Sequence, residues 1–241
     1  MATNYETGHA VNISNFKLMI DRCSVIPGYN PSNTDLTIAN MTLRWQTADT
    51  AHQTLTSAVQ SSKNPINSRE ILYKPIQKLT TKALNYFEST KASKQVKKDA
   101  KGLADKLRGF NTKIPKLADG TPDPNHVSQS HLSYVQKQDT FKQLLDLFSS
   151  DPNYVPNEPE LSLPTLQALN TSMKSANDNI GTIIAPVLSA RVTRDNALYQ
   201  EETGMLDIAA ACKDYVKGLI GSNANSRLIT GIRFRRPKKK N

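Results

Sequence analysis

The stretch FKLMIDRCSVIPGYNP at 16–31 returns as FKQLLDLFSSDPNYVP at 141–156. A chain that repeats itself in this way is expected to fold as two related units. At a fixed offset of 125, eight of the 26 positions from 16 to 41 are identical: Phe16, Lys17, Asp21, Ser24, Pro27, Tyr29, Pro31 and Leu36 find Phe141, Lys142, Asp146, Ser149, Pro152, Tyr154, Pro156 and Leu161. Ordinary residue frequencies give about one or two such matches by chance. With one inserted residue the register continues, setting Leu72 and Tyr73 against Leu198 and Tyr199, Leu79 against Met205, and Ala83 against Ala209. A period this long exceeds the roughly 20 to 50 residues of solenoid units and implies a duplicated domain.

Both copies read as helices. Phe16, Met19, Ile20 and Cys23 recur at i, i+3, i+4 and i+7, as do Phe141, Leu144, Leu145 and Phe148, so each copy opens with a helix carrying one apolar face. Ser14 or Asn15 and Asp139 or Thr140 are the expected caps. The shared P-x-Y-x-P then stops each helix, because proline disfavours helix at the residue before it, and the tyrosine between is read as a packing anchor. A long helix follows: Leu166, Leu169, Met173, Ala176, Ile180, Ile183 and Val187 form an unbroken seam, which Pro186 is expected to kink or end. In the first copy Met41, Ala48, Ala51, Leu55 and Ala58 hold the equivalent positions. A third helix carries Met205, Ile208, Ala209, Cys212, Tyr215, Val216 and Leu219 on one face and ends at Gly221; its counterpart runs from about Ile76 to Phe87.

Few glycines and 6% aromatics agree with helix over sheet. The expected fold is all-α: two tandem, internally duplicated antiparallel helical bundles over 10–116 and 132–234, joined by a polar Pro/Gly/Asp linker over 117–131 and followed by a basic tail over 235–241. No apolar run reaches the roughly 18 residues of a membrane span, and the first residues lack a signal-peptide pattern, so a cytoplasmic protein is expected. Cys23 and Cys212 occupy non-corresponding positions in the two copies and read as buried thiols in a reducing compartment.

Catalytic chemistry finds little footing. There is no Gly-rich phosphate loop, H-E-x-x-H or G-x-S-x-G motif, and no cysteine pair at ligand spacing. Asp119, Asp123, Asn125, His126 and His131 crowd the linker but lack the spacing of calcium or zinc sites. Asp195, Glu201, Glu202 and Asp207 are the densest carboxylates, yet no E-x-x-H accompanies them, and they read as a solvated face. No enzymatic role, metal or cofactor is expected.

Charge is more informative. Of the net +10, residues 91–116 carry +7 and residues 227–241 carry another +7, leaving the rest of the chain acidic. In the first segment Val96, Ala100, Leu103, Leu107 and Phe110 step along one face while Lys91, Lys94, Lys98 and Lys101 follow the same rhythm on another, which predicts an amphipathic helix with a basic side. In the second, Leu228, Thr230, Ile232 and Phe234 alternate and predict an extended stretch docked on the body, ahead of RRPKKK. The candidate binding residues for nucleic acid or an acidic partner are therefore Lys91, Lys94, Lys98, Lys101, Arg233, Arg235, Arg236, Lys238, Lys239 and Lys240.

The stretch RDNALYQEETGMLDIAAACKDYVKGLIGSNANSRLITGIRF at 194–234 resembles uncharacterised bacterial helical proteins that end in a similar glycine-containing, basic segment. That resemblance implies a helical bacterial protein and no particular activity. The expected function is a non-enzymatic structural or interaction scaffold that binds a protein partner or copies of itself. The alternative is a sequence-nonspecific nucleic-acid-binding protein contacting phosphates through the basic helix and tail. An anionic membrane surface is a weaker option.

Overall fold

The computed structural model describes residues 8–109, 121, 133–221 and 223–236. Among them the chain is all-helical, with no strand. In order come α1 (His9–Cys23), α2 (Ile38–Tyr73), α3 (Ile76–Ser89), α4 (Lys94–Arg108), α5 (Tyr134–Ser150), α6 (Leu163–Asp178), α7 (Ile180–Tyr199), α8 (Met205–Ile220) and α9 (Ala224–Thr230). Short 3-10 turns at Thr34–Leu36 and Pro159–Leu161 precede α2 and α6.

The compact units are not the tandem bundles expected over 10–116 and 132–234. One unit joins Met1–Ser62 to Ile184–Asn241, and the other is the continuous stretch Lys63–Ile183. Each therefore takes its front from one sequence copy and its back from the other. The reason lies in α2, a 36-residue helix that contains the boundary between Ser62 and Lys63. α1 therefore falls in one unit and α3 and α4 in the other. The apolar face of α1 must be closed by helices from the far end of the chain.

In the discontinuous unit, α1 packs against α8 and α9, and the turn at Thr34–Leu36 packs on α8. Phe16, Met19, Cys23, Met41, Met205 and Cys212 are fully buried there. In the continuous unit, α5 lies between α4 and α6, α3 packs on α4, and the turn at Pro159–Leu161 packs on α3. Its core centres on Phe87, Phe141, Phe148 and Tyr154: Phe148 stacks on Tyr154 with ring centroids 4.2 Å apart, and Phe87 meets Phe148 at 5.1 Å.

The tyrosine of each P-x-Y-x-P is the packing anchor expected. Tyr29 donates its hydroxyl to the Leu36 carbonyl at 2.7 Å, and Tyr154 donates to Leu161 at 2.9 Å. Burial raises the pKa of both phenols, which keeps them protonated donors. Gly221 ends α8 with a positive φ, as its position predicts.

Several local expectations are corrected. α1 and α5 start earlier than predicted, after Gly8 and Ser133 rather than at Ser14 or Asn15 and Asp139 or Thr140, because Asn12, Ile13 and Thr140 are buried and belong to the packed face. Pro186 does not end the long seam helix but lies inside α7. The break comes instead between α6 and α7 at Asn179, whose carbonyl accepts both the Ile183 N–H at 3.2 Å and the Thr182 hydroxyl at 2.8 Å. Leu228 and Thr230 are not extended: they belong to α9, whose start is fixed by reciprocal Asn223 and Ser226 capping bonds. In the third helix the buried positions Thr80, Ala83, Leu84 and Phe87 of α3 match Met205, Ile208, Ala209 and Cys212 of α8 at the plain 125-residue offset, one residue out of the expected register. The linker, with Asp119, Asp123, Asn125, His126 and His131, lies outside the described residues apart from Thr121.

Candidate functional site

α4 is built to present charge. Ser93 caps its start by accepting from the Val96 N–H, and Gly109 ends it in the left-handed conformation at φ 76°. Ala100, Ala104 and Leu107 are fully buried on its inner face. Lys94, Lys98 and Lys101 stand exposed on another face, with Lys91 exposed just ahead of the helix. Steps of four and three set Lys94, Lys98 and Lys101 in one row, and none of the four lysines is ion-paired among the described residues. Lys97 has a different task, its ammonium donating at 2.7 Å to the Glu88 and Thr90 carbonyls that close α3. Three of the four expected lysines are thus brought together on this helix, and Lys91 stands just before it.

The C-terminal cations sit on the other unit and are differently used. Residues 231–236 run as a strap along α1. Asn12, 2% exposed, brackets Arg235: its side-chain amide donates to the Arg235 carbonyl at 2.8 Å and accepts from the Arg235 N–H at 3.1 Å. Asn15 donates to the Arg233 carbonyl at 2.9 Å, and the Lys213 ammonium donates to that of Ile232. Phe234 lies edge-on to Phe16, with Lys213 5.1 Å over its ring. Arg236 donates to the Tyr199 carbonyl at 2.9 Å and pairs with Asp207, so this cation is neutralised by a neighbouring acid and serves the fold. The side chains of Arg233 and Arg235 are exposed; Lys238, Lys239 and Lys240 lie outside the described residues.

The docked stretch expected from the alternation is this strap from Ile232 onward, whereas its anchor Asn12 was missed by sequence reasoning, although it carried a signal: it sits one turn before Phe16 on the apolar stripe of α1. Replacing Asn12 with Ala will cost about 1–3 kcal/mol, because it strips both partners from a largely covered peptide. Hydrogen exchange at residues 232–236 should accelerate well before that of α8.

Asp195, Asp207 and His9 are also spent on structure. Asp195 pairs with Arg194, and Asp207 pairs with Arg236 while accepting the Glu202 N–H at 3.0 Å. His9 meets the Tyr199 hydroxyl at 2.8 Å; burial, then the Arg194 charge, holds its pKa below the ordinary value. No cluster of three or more metal-ligating side chains exists among the described residues. A groove between α2 and α7, lined by Thr47, Thr50, Ala51, Thr54, Pro186 and Ala190 among others, has no ionisable side chain in its wall. No described helix is long and apolar enough to cross a membrane.

No protein-family profile, curated protein or solved structure matches this chain. The molecule's own geometry therefore carries the functional argument.

Proposed function

We propose that this is a non-enzymatic interaction protein, a scaffold of duplicated helical units that presents the α4 lysine row to an acidic protein partner. The observation that carries the reading is the row itself: Lys94, Lys98 and Lys101 are exposed on one face of α4, with Lys91 exposed just ahead of it, and none is ion-paired among the described residues, while Lys97 and Arg236 of the same basic segments are consumed by the fold. Three like charges held in a row on a helix, with a fourth just ahead of it, attract a polyanion and cost self-repulsion when nothing binds.

Duplication is supported by features recurring at the same offset: the 3-10 turns, the two tyrosine-to-carbonyl bonds, and the exposed ion pairs Lys17 with Asp21 and Lys142 with Asp146. The second reading, phosphate binding to nucleic acid, is favoured by the same row together with exposed Arg233 and Arg235.

The test is retention on immobilised polyglutamate and on duplex DNA across a salt gradient, for the native chain and for a variant with Lys94, Lys98 and Lys101 all changed to Glu. Polyglutamate should be held at low salt by the native chain and lost by the variant, with far weaker retention on DNA. A DNA affinity falling with a log–log salt slope of about −3.6, as four phosphate contacts give, would transfer the function to nucleic acid. Unchanged retention in the variant would dismiss the α4 row altogether.

A further inference from the structure

The two thiols of the chain, 189 positions apart, touch: Cys23 Sγ lies 3.5 Å from Cys212 Sγ, both fully buried between α1 and α8. This is van der Waals contact for sulfur, and about 1.5 Å of approach separates it from a disulfide bond of about 2.05 Å. We propose that Cys23 and Cys212 form a peroxide-driven, reversible cross-link that staples α1 to α8.

Three observations support it. First, the contact is not one that packing at this place demands. The positions displaced by 125 residues in the other unit are Phe148 and Phe87, which fill the same kind of α-helix contact with two rings 5.1 Å apart. An aromatic pair satisfies the packing there; a thiol pair here adds chemistry.

Second, the pair is polarised. Tyr29 spends its only hydroxyl proton on the Leu36 carbonyl at 2.7 Å, so at 3.6 Å from Cys212 Sγ its oxygen is placed to accept. With its own proton turned to Tyr29, the Cys212 sulfur is left to accept from the Cys23 thiol. The bond between the sulfurs lowers the pKa of Cys212 against the opposing effect of burial, and the same bond, then burial, raises that of Cys23. Cys212 is therefore the attacking sulfur and Cys23 the resolving one.

Third, the electron count closes with a single oxidant. The Cys212 thiolate attacks one oxygen of hydrogen peroxide, the O–O bond breaks, and water leaves after protonation, with Cys212 as sulfenic acid. The Cys23 sulfur then attacks the sulfenic sulfur, the S–S bond forms, the S–OH bond breaks, and a second water leaves with the Cys23 proton. Two thiols lose two electrons and two protons, and peroxide is reduced to two waters. Full burial makes the first step depend on transient parting of α1 from α8, which keeps the pair reduced under mild conditions.

The full chain is treated with hydrogen peroxide in native buffer, quenched with N-ethylmaleimide in urea, and mapped by mass spectrometry without reduction. The expected result is a monomer lighter by two hydrogens, with neither cysteine alkylated, a single linked peptide joining Cys23 to Cys212, and full recovery of both thiols with dithiothreitol. In Cys23→Ser, Cys212 should accumulate as a sulfenic acid captured by dimedone; in Cys212→Ser, Cys23 should remain a thiol. The native-chain map decides the matter even if neither variant folds. Two alkylated thiols after a peroxide dose that oxidises glutathione completely, sulfinic acid in place of the linked peptide, or cross-links only between chains would overturn the proposal.

Discussion

Cleaving the folded chain at a protease recognition sequence inserted beside Thr121 will release nothing: the fragments 1–121 and 122–241 will travel together as one particle until denaturant parts them. The expectation follows from the composition of the compact units. One needs residues up to Ser62 and from Ile184 onward, and the other needs helices on both sides of the cut, α3 and α4 before it and α5 and α6 after it. Neither fragment contains a complete core. Expressed alone, each leaves one apolar face of α1 or α5 without its cover, whereas two self-contained tandem bundles would separate cleanly after the cut. Size-exclusion chromatography before and after cleavage reads the result, and independent migration of two folded fragments would refute the exchanged arrangement.

The second large effect is expected at Phe148. Its ring is fully buried, stacks on Tyr154 with an interplanar angle of 3° and meets Phe87, so three elements of the continuous unit share it. Phe148→Ala removes that contact and leaves a cavity, for a cost of about 3–5 kcal/mol. In a domain whose net stability is of order 5–15 kcal/mol this is a large fraction. Hydrogen exchange should rise across α3, α4 and α5 together, because they close one core. Denaturation that leaves α3 and α4 as protected as before would show that Phe148 does not tie them.

How much of this was legible in the sequence depends on the kind of information. Where a residue acts locally, the pattern reported it. The P-x-Y-x-P stops, the Gly221 terminus, the span of α3 and α8, and the apolar side of α4 through Ala100 and Leu107 all follow from neighbours within a turn or two. Periodicity marks a face as apolar but carries no address for what covers it. The face of α1 reads the same whether α3 or α8 closes it, so the tandem bundle was the natural expectation, and only the uninterrupted run of α2 decides otherwise.

Short elements suffered from ambiguity of period. Seven residues of α9 hold too few turns to separate a helix from the alternation of Leu228, Thr230, Ile232 and Phe234, and the informative signal was the Asn223 and Ser226 pair ahead of them. Of the candidate site, the α4 row was legible because helical spacing alone assembles it. The fate of Arg236 was not, since its partner Asp207 lies 29 residues back on a different helix.

The exchange between the chain's halves also bears on the order in which a nascent molecule can mature. Everything the continuous unit requires has been made once Ile183 clears the ribosome. α1 must wait for α8, and with synthesis at about 5–20 residues per second the interval between Cys23 and Cys212 is about 10–40 s. Through that interval Phe16, Met19 and Ile20 lack the cover that α8 and α9 provide. The newborn chain thus carries the apolar face of α1 without the helices that close it until α8 and α9, more than 180 residues later, have been made.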